Sequence, residues 1–177
     1  MNNARLRNLL QDVSLITRME EGTHMMPKEP VLLNTIIDEI SEELELVSDS
    51  EKMVLHSNFD QKVFVNGNLQ LIGSIFRNLT ENAIAYSGGR NIYINLLEND
   101  AYGCRISFED DGRGVDPEKL PRLFERFYRI DKGRSRQVGG TGLGLSIVKH
   151  AVQFHGGSIT ASNRKGGGLR FDFTLRK

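Results

Sequence analysis

The stretch GGTGLGLSIVK, from Gly139 to Lys149, places four glycines in six residues and then runs into an apolar helical pattern. A glycine-rich loop that opens a helix aims several backbone N–H groups, and the positive end of the helix dipole, at one point. Such a loop is either a phosphate cradle or a flexible lead into a buried helix. The sequence on either side bears on the choice.

The spacing predicts a helix over Leu143 to Phe154. Beyond it, Ser158 to Asn163 and Leu169 to Leu175 read as a hairpin around the glycines at 166 to 168. Upstream, Asn91 to Glu98 and Tyr102 to Asp110 alternate apolar and polar residues, with a turn at Asn99 and Asp100. Asn68 to Ser87 reads as a long helix, and Met53 to Phe59 with Lys62 to Val65 as a further hairpin. Leu33 to Val47 carries Ile36, Ile37, Ile40 and Leu44 on one helical side, after a short strand at Val31 and Leu32. Helices mixed with mainly antiparallel strands indicate an α+β fold, a two-layer α/β sandwich.

At the N-terminus, Leu6, Leu9, Val13 and Ile16 form a helical stripe that ends near Gly22. Pro27 and Pro30 mark a linker. The expected organisation is a helix over 1–22, a linker over 23–29 and one domain over 30–177. The chain has 177 residues, of which 26% are charged, with 23 basic and 23 acidic side chains. That balance gives no global field that would draw nucleic acid. The single cysteine, Cys104, cannot form an internal disulfide and reads as a small strand residue. No run of about 18 apolar residues exists, and Met1 leads into Asn, Arg and Leu without a signal-like apolar segment.

Three motifs carry chemistry. In NLTENAIAYS, Asn78 to Ser87, the amides Asn78 and Asn82 lie four apart on one helix face, at the margin of the apolar arc. They either reach solvent, cap a neighbour, or ligate Mg²⁺ together with phosphate oxygens. In EDDGRGV, Glu109 to Val115, a strand ends in Asp110 beside Gly112 and Gly114. This is either a solvated turn or a carboxylate placed to accept a hydrogen bond from an exocyclic amine. Alternation puts Asp111 on the opposite face. In LFERFYRIDKGRSRQ, Leu123 to Gln137, Leu123, Phe124, Phe127 and Tyr128 form an apolar anchor before a run of cations. That run is a solvated basic loop, a single-strand nucleic-acid contact, or a lid over a polyanion.

In this order the motifs resemble the ATP-binding domain of sensor histidine kinases, in the superfamily that includes gyrase-type ATPases. The matching segments are the N box (Asn78 to Ser87), the G1 box (Asp110, Gly112, Gly114), the F box (Leu123 to Arg129) and the G2 box (Gly140 to Leu145). The resemblance covers roughly Pro30 to Lys177 and implies a Bergerat sandwich with a mixed, mainly antiparallel sheet packed on helices, preceded by an N-terminal helix. It implies ATP and Mg²⁺ as ligands. Asp110 would hold the adenine amine, Asn82 the metal with Asn78 assisting, and Gly140, Gly142 and Gly144 the phosphates, with Thr141 and Leu143 in the same loop. Arg129 would approach the phosphates, Gly112 and Gly114 would admit the adenine, and Phe124 and Phe127 would anchor the lid.

Many family members have Lys before the N-box Tyr; here Ala85 precedes Tyr86, so that phosphate contact is either missing or replaced by Tyr86. The hydrolysing relatives carry Glu where this chain has Asn78, and an amide takes no proton from water at neutral pH. Glu81 is a substitute base only from another helical face. The resemblance therefore implies a kinase, with a non-catalytic nucleotide-binding regulatory module and a hydrolysing ATPase as alternatives. None of His24, His56, His150 and His155 sits in the family's phosphoacceptor pattern, so the acceptor is expected elsewhere in the parent protein. The implied partners are that dimerisation and phosphoacceptor domain, whose last helix would be residues 1–22, and a response regulator. The parent is expected to be a homodimer in the bacterial inner membrane with this part on the cytoplasmic side, and the stretch in hand a monomer.

Overall fold

The computed structural model describes residues 2–21, 26–47, 52–128 and 142–177. The expected contributions of Arg129, Gly140, Thr141 and the basic run after Tyr128 lie outside these residues. The elements are α1 (Asn2–Glu21), β1 (Glu29–Leu32), α2 (Leu33–Glu45), β2 (Val54–Ser57), β3 (Phe64–Gly67) and α3 (Leu69–Asn82). They continue with β4 (Asn91–Asn99), β5 (Gly103–Asp110), α4 (Gly144–Phe154), β6 (Ile159–Asn163) and β7 (Leu169–Arg176).

Five strands form one sheet in the order β2, β4, β5, β7, β6. Only β2 and β4 run parallel; the other pairs are antiparallel. One face of the sheet buries Ile92, Ile94, Ile106, Phe108, Phe171 and Phe173. The helices supply the opposing layer through residues at helical spacing: Ile36, Ile37 and Ile40 from α2, Leu71, Ile75, Phe76 and Leu79 from α3, and Ile147, Val148 and Ala151 from α4. Phe76 meets Phe173 edge-on across the layers at 5.7 Å. On the other face, Arg170 grips Asp172 with bonds of 2.9 and 2.8 Å, so the polar side of the sheet is internally paired. Cys104 is buried in β5, and burial pushes its thiol up to about 11.

Met53 to Phe59 and Lys62 to Val65 do not form the expected hairpin. β2 joins the large sheet beside β4, whereas β3 pairs with β1 in a separate two-stranded ribbon. The cause is Asn34 at the start of α2. Its amide donates to Phe59 O at 3.2 Å and Gln61 O at 3.0 Å, and its Oδ1 accepts from Val63 N at 2.9 Å. Backbone groups that a tight hairpin would pair are thus satisfied by a side chain.

Two polar residues, half-buried Asn68 and buried His155, fix the helices. Asn68 caps α3 by accepting from Leu71 N at 3.1 Å. His155, only 1% exposed, accepts from Asn68 N at 3.0 Å through Nε2 while Nδ1 donates to Ala151 O at 2.6 Å. The imidazole therefore joins the end of α4 to the start of α3. Helix α1 packs on the domain through Leu15 and Ile16. Its Glu20 pairs with Arg126, whose Nη2 also lies 3.5 Å from His150 Nε2. Both carboxylate and guanidinium are about half exposed, so apolar burial rather than this pair holds the helix.

Candidate functional site

Helix α3 presents Asn78 and Asn82 at the edge of its buried stripe, both half-buried. Asn78 Nδ2 donates to Ser74 O at 2.8 Å. That bond fixes the amide and leaves carbonyl Oδ1 against the start of α4, where a Cβ on Gly144 would lie only 3.0 Å away. The Asn82 side chain makes no cap hydrogen bond to the turn that follows. After it the chain widens into a π-helical turn, Ala83–Ser87, that carries half-buried Tyr86 and ends at left-handed Gly88. Such turns frequently occur at functional sites.

The π turn is joined to the Asp110 loop. Ser87 O accepts from Arg113 N at 2.9 Å, and a Cβ on Gly112 would come within 2.2 Å of that same oxygen. Glycine is what lets the two backbones meet. Asp110, at the end of β5, is 3% exposed. Its Oδ1 accepts from Gly112 N at 2.9 Å and from Leu169 N at 3.2 Å. Oδ2 receives neither bond and is the oxygen left for a ligand. Burial raises the Asp110 pKa, and the two backbone amides pull against that rise. Asp111 plays a different part. It accepts from the backbone amides of Arg90 and Asn91 and from the Asn91 side chain, each at 2.8 Å, and so pins the start of β4. Burial opposes its charge, but these bonds hold its carboxyl below the usual range.

Gly142, Leu143 and Gly144 lead into α4. Leu143 is buried in the core, so its side chain offers nothing to a ligand. Gly142 O accepts from Phe127 N at 2.7 Å, which ties the F-box segment to the start of α4. The expected anchoring is corrected in one respect. Phe124 packs edge-on against Phe171 at 6.0 Å, but the Phe127 ring is 60% exposed. Phe127 sits at φ 64, a left-handed conformation that turns its ring outward while its amide makes the contact.

Contacts thus run from Asn78 to Gly144, from Gly142 to Phe127, from Ser87 to Gly112 and from Asp110 to Leu169. Sequence reasoning missed the last of these partners. The turn at 166–168 read as a hairpin tip, yet Gly168, at φ 111, lies so close to Asp110 that a Cβ would sit 1.9 Å from its backbone oxygen. Consecutive glycines facing an acid-glycine loop are the signal that was there to find. The donor set also suits a hard divalent cation. Neutral amide oxygens add no charge against a polyphosphate. No group of three or more His, Cys, Asp or Glu able to hold a metal occurs among the described residues, so most ligands of such a cation would come from the bound molecule.

Comparison with known proteins identifies the family. Residues 67–177 match the family described as histidine kinase-, DNA gyrase B- and HSP90-like ATPases, and the chain belongs to that family. It is 34% identical over 167 residues to the phosphate regulon sensor protein PhoR of Pseudomonas aeruginosa, an alignment covering 94% of this chain and 38% of PhoR. It is 31% identical over 176 residues to the sensor histidine kinase WalK of Bacillus subtilis, covering 97% of this chain and 28% of WalK. Among solved structures it resembles the mycobacterial sensor histidine kinase MprB, with a TM-score of 0.69 and 26% identity over 84% of this chain and 97% of that one. The fold and these relatives define the ATP-binding catalytic domain of sensor histidine kinases. The chain spans between about a quarter and two fifths of the length of these curated relatives, 28% and 38%.

Proposed function

We propose that this chain binds Mg-ATP and presents its γ-phosphoryl to a histidine on the dimerisation domain of the parent protein, from which a response-regulator aspartate receives it. The observation that carries the reading is Asp110. A buried carboxylate with one oxygen saturated by backbone amides and the other free is a built acceptor, not a solvated turn. Asp110 Oδ2 takes the adenine amine, and Gly112 and Gly114 let the loop close against Ser87 and Asn163 around that carboxylate. Asn82 and Asn78 supply oxygens to Mg²⁺, which neutralises phosphate charge when bound. The amides at Gly142 to Gly144 and the dipole of α4 face the phosphates, joined by Gly140, Thr141, Tyr86 and Arg129. Positioning and charge neutralisation are the means by which phosphoryl transfer is accelerated.

The Asn at position 78 favours transfer over hydrolysis, because no carboxylate stands there to activate water. Residues 1–22 are read as the end of the dimerisation hairpin, with 23–29 the linker and 30–177 the catalytic domain. Exposed Leu10 and Val13 on α1 suit continuation into a paired helix of a homodimeric parent. No helix among the described residues is long and apolar enough to cross a membrane, so any inner-membrane anchor lies elsewhere in the parent.

Calorimetric titration with Mg-ATP tests the reading. Asp110→Asn should weaken binding by about 1.5–3 kcal/mol, the worth of a hydrogen bond to a charged group. Unchanged affinity would remove the adenine assignment.

A further inference from the structure

We propose that Asn163 is a positioning residue for the same site: it holds Asp110 in the geometry that selects an exocyclic amine. The inference rests on the nucleotide reading above. Asn163 closes β6, and its side chain meets the backbone of Val115 twice. Oδ1 accepts from Val115 N at 2.8 Å, and Nδ2 donates to Val115 O at 2.7 Å. One planar amide thereby acts as a rung between two segments distant in sequence. Only a side chain with both a donor and an acceptor makes that rung. It closes against Gly114, at φ 72, where a Cβ would lie 2.7 Å from Oδ1.

The hairpin that carries Asn163 also carries the second donor to Asp110. Arg164 N donates to Gly168 O at 2.7 Å and folds the tip. Leu169 N then reaches Asp110 Oδ1 at 3.2 Å. From the other side, Gly112 N reaches the same oxygen at 2.9 Å. The Asn163 rung is a further tie between these two approaches, beside the β5–β7 ladder that pairs Glu109 with Arg170. Contacts pass from Asp110 through Gly112 and Val115 to Asn163, and return through Leu169 to Asp110. Both amides stay on Oδ1 while the ring is closed, and Oδ2 keeps its direction. Opening the ring frees the carboxylate to turn, which costs recognition of the amine but not of the triphosphate.

The test measures affinity for Mg-ATP and for the triphosphate of purine riboside, which lacks the 6-amino group. Asn163→Ala should weaken ATP about tenfold, the effect of losing one or two net hydrogen bonds at a positioning contact, and leave the analogue unchanged. In the Asp110→Asn background the same substitution should have no further effect on ATP, since residues acting through one contact are not additive. Equal losses for both ligands, or no loss for ATP, overturn the assignment. If Asp110→Asn leaves the preference for ATP over the analogue intact, the adenine reading falls and this inference with it. If Asp110→Asn abolishes the preference but Asn163→Ala is silent, only the role of Asn163 falls. Should the alanine variant fail to fold by thermal melting, Asn163→Asp keeps the acceptor for Val115 N and carries the same comparison with a smaller loss.

Discussion

Gly144→Ala separates what the start of α4 does for folding from what it does for a ligand. Gly144 has no positive φ, so alanine is not strained there, and it is the first residue of the helix. Replacing glycine by alanine favours a helix interior by about 1 kcal/mol, and less in the first turn. The added Cβ would stand 3.0 Å from Asn78 Oδ1, whereas ordinary contact begins at 3.4 Å. Asn78 cannot swing away freely, because Nδ2 is bonded to Ser74 O at 2.8 Å. The carbonyl must yield by a few tenths of an ångström. Mg²⁺ tolerates little such error, since its oxygens sit near 2.0–2.1 Å in close to ideal octahedra. The expected result is a variant at least as stable as the parent that binds Mg-ATP about tenfold more weakly, or about 1.4 kcal/mol. Its affinity for ATP in excess chelator should match the parent's. Thermal melting and calorimetry with and without Mg²⁺ read the two effects. An unchanged response to Mg²⁺ would refute the placing of Asn78 beside the metal.

Two further outcomes follow from buried contacts. Gly168→Ala combines a positive φ of 111 with a Cβ 1.9 Å from Asp110 O, so denaturant unfolding should show a loss of more than about 2 kcal/mol; a near-neutral result would mean that the hairpin does not close over Asp110. Burial, aided by the charge of Lys28, lowers the His155 pKa from its ordinary 6.5, with the Ala151 hydrogen bond opposing. A lowered folded pKa gives stability that is full above pH 6.5 and lost as pH falls through the folded value. Urea unfolding from pH 7.5 to 5 should therefore show falling stability, and His155→Gln should flatten the slope; His150, lowered by burial and Arg126, stays in that variant, as do the Asp110 and Glu81 carboxyls, raised chiefly by burial, which pull the slope the other way. An identical slope in both proteins would contradict the neutral bridge from Asn68 N to Ala151 O.

The helices and the long strands were legible because each writes its buried face into residue spacing. Ile36, Ile37, Ile40 and Leu44 recur at helical intervals and are buried; Ile92 and Ile94, like Ile106 and Phe108, alternate and are buried. Spacing names a face but not a partner. Val54 to Ser57 and Phe64 to Gly67 are four residues each, too short for their pattern to say which strand lies alongside. Asn34, whose three contacts with the intervening loop decide the matter, gives no periodic signal. Phe127 misled for a related reason: an aromatic beside other aromatics reads as anchor, and only backbone torsion turns it outward.

The site divides along the same line. The side chains proposed to act by their own chemistry, Asn78, Asn82 and Asp110, could be singled out from the sequence because polar groups stand out at the margin of an apolar face or at a strand end. Groups that act through backbone could not. Leu169 reaches Asp110 with an amide every residue but proline possesses, and its buried apolar side chain points the reader to the core instead. What betrays such a donor is the space it requires. Gly112, Gly114 and Gly168 each stand where a Cβ would collide with Ser87, Asn163 or Asp110. Glycines that read as loosening a turn are therefore the marks of close approach. The loop around Asp110 is tight because it lacks side chains, and that tightness is what lets one acid be held with a single oxygen free.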